Sequence, residues 1–182
     1  WTQDVTGTLP DLAPPGQPAP AVDTDAIDRA AKLIASASAP MIVVGGGAQG
    51  DSGLVRQLAA RTGAPVVAFR TGHGVMPSDD PLSIGMPVAH SLWTNVDLVI
   101  GIGTRLQSQV MSWGHDDDMK IIHIDIDETQ IGRSAPVDVG IHARLADALP
   151  LLISAVEDLA DPNPDWADRT ADAKAQRVAQ YR

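Results

Sequence analysis

Three short segments carry residues whose types and order can do chemistry. Gly45-Gly46-Gly47-Ala48-Gln49-Gly50 satisfies the spacing G-x-G-x-x-G, in which missing side chains let backbone approach a pyrophosphate closely. Gly101-Ile102-Gly103-Thr104-Arg105 is a second glycine-lined stretch, with a hydroxyl and a guanidinium beside it. In His123-Ile124-Asp125-Ile126-Asp127, Asp125 can accept hydrogen bonds from a ribose diol and Ile126 can pack against an adenine. Asp127 reads instead as the cap of a turn that begins at Glu128.

Each segment also has a plainer reading. Three consecutive glycines make a tight turn whether or not anything binds there. The NAD form of the motif needs an acidic residue about 20 positions on, at the end of the second strand, and this chain has Phe69-Arg70 there. Arg70 can meet a phosphate or simply be solvated. The five histidines, His73, His90, His115, His123 and His142, form no zinc-type spacing. Asp116-Asp117-Asp118 reads as a solvated turn. No nucleophile elbow, Walker loop or catalytic triad signature occurs. The chain has binding features without an evident reaction centre.

The elements that would position these residues alternate. Asp23 or Thr24 caps a helix through Ile27, Ala30, Ala31 and Ile34 that Pro40 ends. Met41-Ile42-Val43-Val44 is a continuous apolar run, as in a strand buried on both faces, and it stops at the first glycine cluster. A helix from Asp51 or Ser52 carries Leu54, Val55, Leu58 and Ala59, with Gly63 just past its end. Strands follow at 64–69, 97–101, 120–125 and 137–141, with a short helix at 88–95 and a last helix through Leu145, Leu149, Leu152 and Val156. Strand–helix alternation predicts right-handed βαβ crossovers and a parallel sheet, with ligands beyond the carboxyl ends of the strands. The chemistry-bearing segments stand at those ends.

The totals agree with one α/β domain. A chain of 182 residues suffices for a single substantial core. Apolar residues form 44% of it and aromatic ones only 3%, so Val, Ile, Leu and Ala must fill that core. A formal charge of −10 argues against nucleic-acid binding, although backbone N–H groups can still hold a local anion. There is no cysteine, which removes disulfides and thiolate metal sites. No membrane span or signal sequence is read, and a soluble, cytoplasmic protein is expected. The first residue is Trp1, and Pro10, Pro14, Pro15, Pro18 and Pro20 crowd residues 9–22, which predicts an extended linker.

Taken in order, these residues resemble the central domain of thiamine diphosphate-dependent enzymes of the acetolactate synthase, pyruvate oxidase and oxalyl-CoA decarboxylase group. The resemblance rests on APMIVVGGGA, TGAPVVAFRTGHGVMPSDDPLSIGM, NVDLVIGIGTRL and KIIHIDIDETQIGRSAPVDVGIHARLADAL, and it spans about residues 24–160. It implies a three-layer Rossmann-like domain with a six-stranded parallel sheet at 23–160. Residues 1–22 would be the end of a preceding domain and its linker, and 161–182 a linker or tail toward a missing diphosphate-binding domain.

The resemblance further implies FAD or ADP in this domain. Gly45, Gly46 and Gly47 would line the pyrophosphate, with Thr71 and Gly72 after the second strand and Gly85 and Met86 on the flavin side. Gly103, Thr104 and Arg105 would form the facing edge, with Asp125 and Ile126 at the adenosine. Thiamine diphosphate and Mg²⁺ would belong to the full-length parent, held by the missing pyrimidine-binding and diphosphate-binding domains of the same chain, in a homodimer or homotetramer. The fragment alone would not be catalytic. Three departures stand against full transfer: Gly72-His73-Gly74 where Gly-Lys-Gly is common, Ile141-His142 where Gly-Asp is common, and Leu106-Gln107-Ser108-Gln109 where more charge is usual. An NADP-binding oxidoreductase domain using Arg70 and a degenerate, non-binding assembly module are the alternatives.

Overall fold

The computed structural model describes residues 19–158 and 162–180. Residues 1–18, which hold most of the proline-rich segment read as a linker, lie outside the described residues. Helix α1 (Thr24–Ser36) starts where the Asp23 carboxylate accepts the Ala26 N–H at 3.1 Å. Its buried face is Ala26, Ile27, Ala30, Ala31 and Ile34, an i, i+3, i+4 stripe. The helix stops at Ser36, earlier than the position of Pro40 suggests. Pro40 instead opens strand β1 (Pro40–Val44), a first-residue position where a strand tolerates the missing N–H.

The remaining strands are β2 (Val66–Ala68), β3 (Ser83–Ile84), β4 (Leu98–Ile102), β5 (Lys120–Asp125) and β6 (Val139–His142). All pairings are parallel and the order is β3-β2-β1-β4-β5-β6. The six-stranded, parallel α/β sheet expected from the sequence is therefore present. Strand β3 was not legible as an apolar run, because it has only two residues and joins the edge through pairing with Val66 and Val67.

Alternation along the strands fills two cores, one on each face. Ile42, Val44, Leu98, Ile100, Ile102, Ile122 and Ile124 pack with α1, with α2 (Ser52–Thr62) and with α5 (Leu145–Ala155). Met41, Val43, Val67, Val99 and Ile121 face the other way, toward α3 (Met86–Leu92), Trp93 and Trp166. This is the three-layer arrangement that parallel sheets need, since both faces must leave water. Gly63 closes α2 in the left-handed conformation at φ 64°, the usual helix-ending role of glycine.

Residues 164–179, polar and alanine-rich in sequence, form a 16-residue helix, α6 (Pro164–Ala179). The Asn163 side chain caps it and also donates to the Ser38 carbonyl at 3.0 Å. Trp166 is buried, and its indole N–H donates to the Pro40 carbonyl at 3.0 Å. Lys174 Nζ donates to the Asp80 carbonyl at 2.7 Å, and Thr170 and Ala173 pack on the same side, so several contacts dock a helix whose own sequence is weakly amphipathic.

Candidate functional site

The strand order reverses between β1 and β4: the chain leaves β1 toward β2 and β3 on one side and returns to β4 on the other. Loops diverging at such a point leave a crevice beyond the strand ends, where open α/β sheets bind ligands. A cavity of about 830 Å³ opens there. Its walls are residues 45–47 after β1, 69–71 after β2, 103–109 after β4, Asp125 at the end of β5 with Asp127 and Gln130 after it, and Met111 and Ser112 of helix α4 (Gln107–Trp113).

The glycines meet each other before they meet a ligand. Gly47 N–H donates to the Gly103 carbonyl at 3.1 Å, and Gly45 N–H to the Ile102 carbonyl at 3.2 Å. A Cβ at Gly47 would lie 2.9 Å from the Gly103 Cα, and one at Gly103 would lie 2.7 Å from the Gly47 carbonyl carbon. A Cβ at Gly45 would collide with the Gly103 carbonyl oxygen, and one at Gly72 with that of Val44. The glycine pattern is thus required first by close approach of three strand-end loops. Its by-product is a wall of bare backbone at Gly46 and Gly47, both exposed to the cavity.

A side chain locks these loops together. Gln49 Nε2, from the six-residue 3₁₀ turn Gly46–Asp51, donates to the carbonyls of Thr71 at 2.8 Å and His73 at 2.6 Å. Two non-glycine residues on the cavity wall take positive φ, Arg70 at 45° and Leu106 at 53°. Such backbone is disfavoured by its Cβ and persists only where surrounding contacts hold it. The Arg70 guanidinium lies 5.1 Å from the Phe69 ring centroid, within cation–π range.

The charges are mixed and local. Arg70 and Arg105 bring cations to a molecule of formal charge −10, and Asp125 and Asp127 bring acceptors. Asp127 accepts the backbone N–H and hydroxyl of Thr129 at 3.0 and 2.7 Å, which lowers its pKa from the usual carboxylate value, with Arg105 acting the same way. It therefore caps the turn Glu128–Gln130, as the sequence indicated, while also facing the cavity. Asp125 accepts the Asp127 N–H at 2.9 Å through one oxygen. Guanidinium groups on two loops, bare backbone on a third and a carboxylate pair on a fourth can together hold a phosphorylated ribose.

Residues 27–152 match the family described as thiamine pyrophosphate enzyme, central domain. The chain belongs to that family. It is 31% identical over 166 residues to the acetolactate synthase isozyme 1 large subunit of Escherichia coli (strain K12), covering 87% of this chain and 29% of that one. It is 32% identical over 151 residues to glyoxylate carboligase of Escherichia coli O157:H7, covering 77% of this chain and 26% of that one. With acetolactate synthase of Mycobacterium leprae (strain TN) it shares 38% identity over 125 residues, covering 63% and 20%. The chain spans less than a third of the length of these curated relatives.

In this thiamine pyrophosphate enzyme central domain, Gly45, Gly46, Gly47, Thr71, Gly103, Thr104, Arg105 and Asp125 come together on the cavity wall. Gly72, Gly85, Met86 and Ile126 stand off it. Gly72 is buried behind the Val44 carbonyl, and Gly85 caps α3 beside a second cavity near β3. The Met86 sulfur accepts from Nε2 of Gln109, itself a wall residue, at 3.8 Å. The Ile126 side chain is exposed, and its carbonyl accepts from His142 Nε2 at 3.0 Å. His142, at the position where the resemblance leads one to expect a carboxylate, is therefore engaged within the protein, its Nδ1 3.9 Å from a Glu128 oxygen.

Helix α4 contributes Gln107, Ser108, Gln109, Met111 and Ser112, which no motif announced. The signal was weak because the helix has only seven residues, starts after a left-handed Leu106 and buries only Gln109 and Val110. Among the described residues no group of three His, Asp or Glu side chains could hold a metal ion. Among the described residues, likewise, no helix is long and apolar enough to cross a membrane.

Proposed function

We propose that the cavity of this central domain binds the nucleoside diphosphate portion of FAD or ADP, within a thiamine diphosphate-dependent, acetolactate synthase-like parent. The reading is carried by the donor set at the β1/β4 switch point: bare backbone at Gly46 and Gly47 faces Arg70 and Arg105, with Asp125 on the same wall. Guanidinium groups pair with phosphate oxygens and a carboxylate accepts from ribose hydroxyls. The residues present fit such a group.

The catalytic steps of the parent, on 2-oxo acids or related acyl donors, fall in this reading to its pyrimidine-binding and diphosphate-binding domains. Those domains would hold thiamine diphosphate and Mg²⁺, in a cytoplasmic homodimer or homotetramer with transferase or lyase activity. The bound nucleotide organises the domain interface. The 182-residue chain alone forms no acetolactate from pyruvate, and measurable product from it would overturn this part of the proposal.

Arg70 favours one second reading. It opens the 3₁₀ turn Arg70–Gly72 just after β2, at the cavity wall, where a dinucleotide fold meets the ribose 2′ position, so NADP is the competing ligand. The experiment is an absorption spectrum of the purified protein, nucleotide analysis of the supernatant after denaturation, and titration with FAD, ADP and NADP. Saturable binding of FAD or ADP supports the proposal, and binding of NADP alone replaces it. Failure of all three leaves a non-binding assembly module.

A further inference from the structure

The segment that carries Arg105 into the cavity is held from below by a residue that does not line it. His123 lies on β5, buried at 2% exposure, with Nε2 2.7 Å from the Thr104 carbonyl oxygen. A carbonyl only accepts, so Nε2 must carry the hydrogen and donate it. Its cross-strand partner on β4 is Gly101. A Cβ at Gly101 would lie 2.6 Å from Leu106 Cδ1, so the Leu106 side chain occupies the space that a larger residue at 101 would fill.

Residues 104–106 therefore turn back over the sheet with a pin at each end: a hydrogen bond at Thr104 and a buried side chain at Leu106. The second pin holds Leu106 at φ 53°. Arg105, between the pins, is exposed on the cavity wall, and its carbonyl accepts the Ser134 hydroxyl at 2.9 Å.

We propose that His123 is a positioning residue of this site: as a neutral imidazole donating Nε2–H to Thr104, it fixes the turn that presents Arg105 to a bound nucleotide. The assignment to ligand binding rests on the nucleotide reading above; the assignment to the turn does not. Burial lowers the His123 pKa from its usual value and outweighs the opposing effects of the Thr104 carbonyl and Asp125, which keeps the ring neutral near pH 7. A neutral ring has one N–H, and the geometry commits it to Thr104.

The test compares His123→Leu, which removes the donor, with His123→Gln, whose amide nitrogen can still donate. In nucleotide-free protein, the backbone amide resonances of residues 103–107 should shift or broaden in H123L and stay near wild-type positions in H123Q. Titrated with ADP, H123L should bind about ten-fold or more weakly, the effect of a lost buried hydrogen bond, and H123Q within about three-fold of wild type. Wild-type-like amides in H123L overturn the inference, as does unchanged ADP affinity when wild type binds. If wild type binds neither ADP nor FAD, the nucleotide reading fails, and the amide comparison alone decides the role of His123 in the turn. Should H123L not fold, long-range ¹H–¹⁵N spectra of wild type decide: an Nε2–H neutral tautomer at pH 7 is required, and a charged or Nδ1–H ring overturns the inference.

Discussion

Gly47 and Gly103 touch backbone to backbone, with the Gly47 N–H on the Gly103 carbonyl at 3.1 Å and no room for a β-carbon on either residue. Gly103 also has φ 55°, so alanine there adds backbone strain to the clash with the Gly47 carbonyl carbon. Gly103→Ala should cost roughly 2–4 kcal/mol in urea unfolding. Gly50 is the contrast, because its Cβ would meet nothing within 4 Å. Gly50→Ala should leave stability within about 0.5 kcal/mol or raise it slightly, through lost freedom in the unfolded chain. Equal effects of the two substitutions would contradict the packing account of the glycine motif.

Arg105 and Arg70 are exposed, so their removal should spare the fold while changing what the cavity holds. Charge-assisted hydrogen bonds to phosphate are worth about 1.5–3 kcal/mol, which is roughly ten- to 150-fold in affinity. Arg105→Ala should weaken ADP or FAD binding by that order with an unchanged unfolding midpoint, read by calorimetric titration and urea melts. Arg70→Ala should weaken NADP more than ADP if Arg70 reads a 2′-phosphate, and both alike if it meets the diphosphate.

The sheet was legible in the sequence because a parallel strand buried on both faces must be a run of apolar residues, as Met41-Ile42-Val43-Val44 is. Strand β3 was not, since Ser83–Ile84 is too short for a run and owes its pairing to Val66 and Val67. The cavity was half legible for a similar reason. Glycines after β1 and β4 announce that loops converge, but not that their Cβ positions point at one another rather than at a ligand. The α4 wall was hidden because it depends on Gly101 leaving room for Leu106, a relation between neighbouring turns that no spacing rule records.

Helix α6 offers a test of how much its aromatic anchor contributes to docking a polar helix. Trp166 is 5% exposed and donates to Pro40, and its truncation removes both packing and a hydrogen bond. Trp166→Ala should cost about 3–5 kcal/mol if α6 unfolds with the domain. If α6 instead detaches locally, trypsin should cut after Arg169 and Lys174 while residues 24–156 resist. Thr170, on the same helix, has a buried hydroxyl with no hydrogen-bond partner. Thr170→Val should therefore stabilise the protein, by about 1 kcal/mol, and a loss of stability would show that the hydroxyl is satisfied in solution.

The buried His123 also predicts how stability follows pH. Its folded-state pKa lies below the ordinary 6.5, chiefly because burial penalises the charged ring. Above about pH 6.5 the ring is neutral in folded and unfolded chains alike, and its contribution to stability is fully present. As pH falls below that value the unfolded chain takes up a proton that the folded one resists, so stability falls until the lowered folded pKa is passed. Asp127 is lowered from 3.8, so its contribution is lost only below that value, outside the pH range of the comparison. His73, His90, His115 and His142 remain in both proteins when wild type is compared with His123→Gln, so the difference isolates His123. Urea-unfolding free energies measured between about pH 7.5 and pH 5 should fall less steeply for H123Q. Identical slopes would mean that the ring charges as readily in the folded protein as in the unfolded chain, which contradicts the burial that lowers its pKa.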